Sequence, residues 1–138
     1  MSNRTFTIIK PDSVRKGNFG KIISRLESEG FRILGIKKDN LSTKQAEAFY
    51  GVHRERPFFP DLVRYMTSGT VYVAALEKEG AVLALRTLMG ATDPSKADAG
   101  TIRKEFGESI EQNAIHGSDS DDNAKIEIGF FFAESELM

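Results

Sequence analysis

The chain has no cysteine and no tryptophan, and only two histidines and four prolines among 138 residues. Without cysteine there is no disulfide, no thiolate nucleophile and no zinc–cysteine site, which suits a reducing compartment. Two histidines far apart in sequence supply a histidine-rich metal site poorly. An excess of charge of one sign is also lacking, because 19 basic and 20 acidic side chains leave a formal net charge of −1. Such a chain has no bulk attraction to nucleic acid or to an anionic membrane, so any anion site must be local. A run of about 18 apolar residues, as a spanning helix needs, does not occur. The apolar stretch in "MSNRTFTIIKPD" is too short for a signal peptide. A cytoplasmic location is expected.

What is present reads as one domain over residues 1–138. Hydrophobic residues make up 40% and charged residues 28%, a balance that favours a packed core over disorder. No repeat or low-complexity linker divides it. "TFTII" (Thr5 to Ile9) predicts a short buried strand stopped at Pro11. Phe19, Ile22, Ile23 and Leu26 recur at helical spacing up to Gly30, and "FRILGIKKDNL" is rich in β-formers. Ser42 and Gln45 form a capping box that starts a helix reaching about Tyr50, and Pro60 opens another through Leu62, Val63 and Met66. Val71, Val73 and Ala75 alternate as a strand, and Val82, Leu85, Leu88 and Met89 form a helix closed by Gly90. From Ala91 to His116 the pattern dissolves, which inside a compact domain points to a functional or mobile excursion. A short helix over Asp121 to Glu127 and a final strand in "IGFFF" are expected to follow. Helices alternating with four strands predict an α/β sandwich with helices packed on a sheet.

The chemistry centres on "NAIHGSDSDD", Asn113 to Asp122. A neutral imidazole can attack phosphorus directly or act as a general base, and spacing alone does not choose between them. Gly117 permits close approach of a ligand, and Ser118 and Glu127 are placed to orient the ring. A solvated turn has the same composition. A calcium loop is excluded, because Ala124 and Phe130 stand where an EF-hand needs its glycine and last acid. "KGNFGKII" fails as a P-loop, since Ile22 replaces the required Ser or Thr. Its G-x-x-G matches a KH-type nucleic-acid clamp, but two turn and helix-start glycines are the simpler account. Lys10, Arg86 and Arg103 lie in separate elements. If they converge near His116 they form the anion clamp that phosphoryl transfer requires. Phe58 is a candidate to stack on a base, Tyr50 and Asn113 are polar candidates, and His53 reads as a solvated helix end.

Four blocks, "TIIKPDSV", "RPFF", "GATDPSKADAGTIR" and "NAIHGSDS", in this order and spacing resemble the nucleoside diphosphate kinase family, with similarity from Arg4 to Phe132. The resemblance implies a ferredoxin-like βαββαβ domain with a four-stranded antiparallel sheet. It implies transfer of the γ-phosphate of a nucleoside triphosphate such as ATP to His116, then to a diphosphate such as GDP. By position, Lys10 and Asn113 would address the sugar and phosphate, and Arg86, Thr92 and Arg103 the β/γ-phosphates. Tyr50 matches a further nucleotide contact. Phe58 would stack on the base beside an apolar slot of Leu62 and Ile110, giving broad base tolerance. Ser118 and Glu127 would support His116, whose Nδ1 would carry the phosphate. Mg²⁺ would arrive with the nucleotide, with Asp119 the nearest protein ligand. Neither a membrane nor a nucleic acid is an expected partner, and a homo-oligomer built from dimers, a tetramer or hexamer, is. Asp93, Thr70 and Ser13 depart from the family's usual asparagine, proline and small Gly/Ala, and the first two bear on assembly. A phosphohydrolase, with His116 activating water, is the competing enzyme class.

Overall fold

A computed structural model describes residues 3–138. Strands β1 (Arg4–Ile9), β2 (Arg32–Asp39), β3 (Val71–Glu77) and β4 (Ile115–Gly117) form an antiparallel sheet in the order β2-β3-β1-β4. Helices α1 (Pro11–Arg15) and α2 (Phe19–Ser28) join β1 to β2. Helices α3 (Thr43–Phe49) and α4 (Phe59–Met66) are inserted between β2 and β3. Helices α5 (Ala81–Met89) and α6 (Ile102–Phe106) precede β4, and α7 (Asp121–Phe131) follows it. Without the inserted pair the order is βαββαβ, the expected ferredoxin-like architecture.

The sheet is covered on both faces, and strand alternation decides which side chain serves which core. Phe6, Ile8, Val71, Val73 and Ala75 meet Ala46 of α3, Val63 and Met66 of α4, and Ile128 of α7. Ile9, Ala74 and Leu76 point the other way, to Ile22 and Leu26 of α2, Leu85 and Met89 of α5, and Ile102 of α6. Burial on both faces explains why β3 reads as a nearly continuous apolar run.

Local signals behave as their chemistry requires. Ser42 Oγ accepts from Gln45 N at 3.1 Å while Gln45 Oε1 accepts from Ser42 N at 2.9 Å, completing the capping box of α3. Pro60 lies in the first turn of α4, and Gly90 closes α5 at φ +86°. The patternless stretch after Gly90 holds a 3₁₀ turn at Pro94–Lys96 and then α6, capped by Thr101. Asp93 caps that turn by accepting from Ser95 N at 3.0 Å, and Thr70 donates to Asn40 Oδ1 at 3.0 Å, so two of the unusual residues have partners within the chain. Ser13 is fully buried. Gly17 takes φ +74° in the turn after α1, but Gly20 lies within α2, so the G-x-x-G is not an open clamp.

One expected element is corrected. "IGFFF" is not a strand; it completes α7, which runs on to Phe131. Ala124, Ile128 and Phe132 are buried at four-residue spacing, so the apolar run is one helical stripe followed by its C-cap. The fourth strand is instead Ile115–Gly117, three residues defined by pairing with β1 rather than by any pattern of their own.

Candidate active site

His116 sits in the middle of β4, opposite Ile8 of β1. Thr7 Oγ1 donates to the His116 carbonyl at 2.7 Å, and Ser118 N donates to the Phe6 carbonyl at 3.1 Å, so the strand is fixed on both sides of the histidine. Ile115 enters the core on one face of the sheet, and alternation turns His116 to the other. There its ring meets the edges of Phe49 and Tyr50, with centroids 5.6 and 6.2 Å away.

Glu127 reaches this ring from α7. Its Oε1 lies 3.0 Å from His116 Nε2 and also accepts from Ser118 Oγ at 2.7 Å. A carboxylate accepts, so it favours the tautomer with the proton on Nε2 and leaves the lone pair on Nδ1. Ser118 is fully buried, with its hydroxyl directed at that carboxylate.

The chain reaches β4 through an unusual turn. Ala114 has φ +77°, and Ile115 N donates to the Asn113 carbonyl at 2.9 Å, closing a three-residue turn. Asn113 is buried there and bridges two elements: its Oδ1 accepts from Lys10 Nζ at 2.7 Å, and its Nδ2 donates to the Thr92 carbonyl at 3.0 Å. Lys10 extends from the end of β1. Its burial, followed by the Arg103 charge, lowers its pKa to about 8, although Asp12 and Glu111 oppose the shift. Arg103, from the first turn of α6, donates to the carbonyls of Gly90 at 3.1 Å and Ile115 at 2.9 Å. Burial and then the Arg86 charge lower its pKa to about 10, so it stays a cation at neutral pH. Neither cation makes a salt bridge among the described residues, and although the Asp12 and Glu111 charges reach Lys10, the pair leaves the site positive in balance.

These groups open on a cleft of about 640 Å³ lined by Lys10, Tyr50, Phe58, Leu62, Arg103 and His116, with Thr92, Ile110 and Asn113. Nine of the residues expected to handle a nucleotide thus share one cavity. Arg86 and Asp119 do not line it. They line an adjoining cavity of about 490 Å³, and Thr92 and Arg103 belong to both walls. Phe58 is 49% exposed, as a stacking platform should be, whereas Tyr50 is buried and its hydroxyl lacks a partner among the described residues. Arg103 Nε is likewise unpartnered. Sequence reasoning missed two cleft residues, His53 and Glu111. His53 lies 5.4 Å from the Phe58 ring, so it is not merely a solvated helix end. Its closeness in sequence to Phe58 was the one available signal, and Glu111 offered none. Among the described residues no group of three or more His, Cys, Asp or Glu side chains is placed to hold a metal.

A family model described as nucleoside diphosphate kinase matches residues 3–137. The chain belongs to the nucleoside diphosphate kinase family. Nucleoside diphosphate kinases from Campylobacter jejuni are 62% identical over 134 residues, covering 97% of this chain and 98% of theirs. One from Granulibacter bethesdensis is 62% identical over 135 residues, covering 98% of this chain and 96% of its own. Among solved structures, the Aquifex aeolicus nucleoside diphosphate kinase superposes with a TM-score of 0.97 at 43% identity, over all of both chains. A halophilic nucleoside diphosphate kinase from Halobacterium salinarum, solved in complex with CDP, gives 0.95 at 40% identity, over 100% of this chain and 92% of that one. Membership makes the chain an enzyme, a nucleotide-binding phosphotransferase with nucleoside diphosphate kinase activity. No described helix is long and apolar enough to cross a membrane.

Proposed function

We propose that this kinase moves the γ-phosphate of a nucleoside triphosphate to a nucleoside diphosphate through a phosphate carried on His116 Nδ1. The observation that carries the proposal is the Glu127 contact to Nε2 at 3.0 Å, which leaves the Nδ1 lone pair as the nucleophile beside two buried cations. In the first half-reaction that lone pair attacks the γ-phosphorus. The bond to the β-phosphate oxygen breaks, the oxygen keeps the electron pair, and the diphosphate leaves. In the second, a β-phosphate oxygen of the acceptor attacks the same phosphorus, and the N–P electrons return to Nδ1. One cleft serves donor and acceptor in turn, so the kinetics are ping-pong.

Lys10 and Arg103 neutralise phosphate charge within the cleft, and Thr92 and Arg86 meet the terminal phosphates where the two cavities join. Lys10 and Asn113 address the sugar. Tyr50 closes the wall of the cleft beside His116. Phe58 stacks on the base and Leu62 and Ile110 flank it, contacts that every base offers, so purine and pyrimidine nucleotides are all substrates. The CDP bound by the Halobacterium relative supports a nucleoside diphosphate as ligand. Mg²⁺ fits this donor set as a companion of the nucleotide. Asp119 and Asp98, both exposed in the cavity they share with Arg86 and Arg103, are the carboxylates it offers, so phosphate oxygens and water would supply the remaining ligands. When bound, the ion neutralises charge on the β- and γ-phosphates. We place the reaction in the cytoplasm, with the nucleotide pools. The whole chain acts as one domain, assembled as a homo-oligomer of dimers, a tetramer or hexamer, as the family resemblance implies.

The test is incubation with γ-³²P-labelled ATP. Wild-type protein acquires acid-labile label that GDP removes, and His116→Ala acquires none. Absence of label on wild type, or undiminished label on the variant, refutes the carrier. Steady release of inorganic phosphate without an acceptor would instead establish a phosphohydrolase.

A further inference from the structure

We infer that Asp12 is a positioning residue for the phosphoryl carrier: its buried carboxylate holds the left-handed turn at Ala114 from which Asn113 and His116 are presented. The inference rests on the reading of His116 as the carrier. Ala114 is the one non-glycine residue with positive φ among those described, at +77°. A side chain disfavours that conformation, so surrounding contacts must impose it. Both polar groups of Ala114 are tethered by the same short segment. Its carbonyl accepts from Lys10 N at 2.9 Å, and its N–H donates to Asp12 Oδ2 at 3.1 Å. Ala114 is fully buried, so no water stands ready to replace the carboxylate.

Asp12 is itself anchored. It is 1% exposed, its Oδ1 accepts the Tyr65 hydroxyl of α4, and the Tyr65 oxygen accepts from Asp12 N at 3.1 Å. Burial, then the bond to Asp12, pushes the Tyr65 phenol well above its ordinary pKa, so it remains a donor. Asp12 lines neither cavity beside His116 and touches no group that reacts. Its charge reaches Lys10, but any effect on the placement of His116 must pass through the turn. If the Ala114 N–H loses its acceptor, relaxation to negative φ rotates the peptide planes on both sides. That motion carries Asn113 off Lys10 and Thr92, and disturbs the strand that sets His116 3.0 Å from Glu127.

The test compares Asp12→Ala, Asp12→Asn and Asp12→Ala/Ala114→Gly in single-turnover formation of the phosphoryl-enzyme from ATP, with ADP affinity measured separately. Asp12→Ala is expected to slow labelling about 100-fold, the scale of an ångström-level misplacement, with ADP affinity weakened only about tenfold, the scale of one hydrogen bond lost through Asn113. Glycine takes positive φ without a side-chain penalty, so the double variant recovers about tenfold. Asp12→Asn keeps an acceptor for Ala114 N–H and a donor for the Tyr65 oxygen, and stays within about tenfold of wild type. A carboxylate that only ties α1 to α4 would lower the thermal midpoint without this split, and Ala114→Gly would restore nothing; that result overturns the inference. So does a loss of about 100-fold in Asp12→Asn, which would assign the effect to charge. Failure of both Asp12→Ala proteins to fold would make the tether a folding determinant and equally refute it. Folding of the double variant alone, with activity, supports it. If wild type takes no label, the carrier reading has failed. If wild type and Asp12→Ala label at one rate, only the tether has.

Discussion

Lys10 gives the sharpest quantitative expectation. It is 8% exposed, and its pKa falls from 10.5 to about 8 on folding. At about 1.4 kcal/mol per pKa unit, holding this ammonium in the free enzyme costs the fold about 3 kcal/mol at neutral pH. Folded Lys10 releases its proton near pH 8 and unfolded Lys10 near 10.5, so between those values the unfolded chain binds more protons. Stability therefore rises with pH across that window, and below it the full cost remains. Lys10→Met keeps much of the volume and cannot titrate. All other groups being shared, the difference between the two proteins isolates Lys10. Urea unfolding at about pH 7 and about pH 9.5 should show wild type gaining roughly 2 kcal/mol on the variant. The variant starts with a handicap, because the Asn113 oxygen loses its donor at about 1–3 kcal/mol, but that handicap does not vary with pH. A difference independent of pH would refute the argument that Lys10 is buried with a strained charge. In the nucleotide complex phosphate adds negative charge beside the ammonium, so binding above about pH 8 should take up a proton, measurable by calorimetry in two buffers.

Two further outcomes follow from named contacts. Glu127→Leu removes the acceptor at His116 Nε2 and leaves the tautomer unfixed, so kcat should fall on the order of 100-fold, with the ring ¹⁵N spectrum showing the proton shared between both nitrogens; an unchanged rate would remove the tautomer argument. In Gly90→Ala a methyl group would meet Thr101 Oγ1 at 2.6 Å with the backbone at φ +86°. Calorimetry should show a loss of about 3 kcal/mol, and a loss below about 1 kcal/mol would mean that α6 moves aside cheaply.

Much of this was legible because local chemistry and tertiary demand agree. The Ser42–Gln45 box, Pro60 and Gly90 act within a few residues, and each stands where its own chemistry puts it. The last part of the fold was misread because a short apolar run carries no period of its own. Only in register with Ala124 does "IGFFF" become a helical stripe, and β4 has no pattern at all, being three residues recruited by β1. At the site, the family resemblance named residues of which nine share the cleft, while the direction in which each one faces was not legible. Arg86 faces the adjoining cavity, and Asp12 and Tyr65 look like an ordinary helix start and a core aromatic until the turn they brace is seen. Long-range contacts of this kind leave no periodic trace.

The His116–Glu127 contact joins a strand to a helix that is packed on the sheet through Ala124, Ile128, Phe131 and the following Phe132. Chemical competence is therefore tied to a local equilibrium. Fraying of α7 would let the imidazole choose its tautomer freely while the sheet stayed intact. On gentle warming, turnover should fade before the global unfolding transition begins, and amide exchange in α7 should quicken over the same interval. The reactivity of one nitrogen would then serve as a gauge of how firmly one helix is docked.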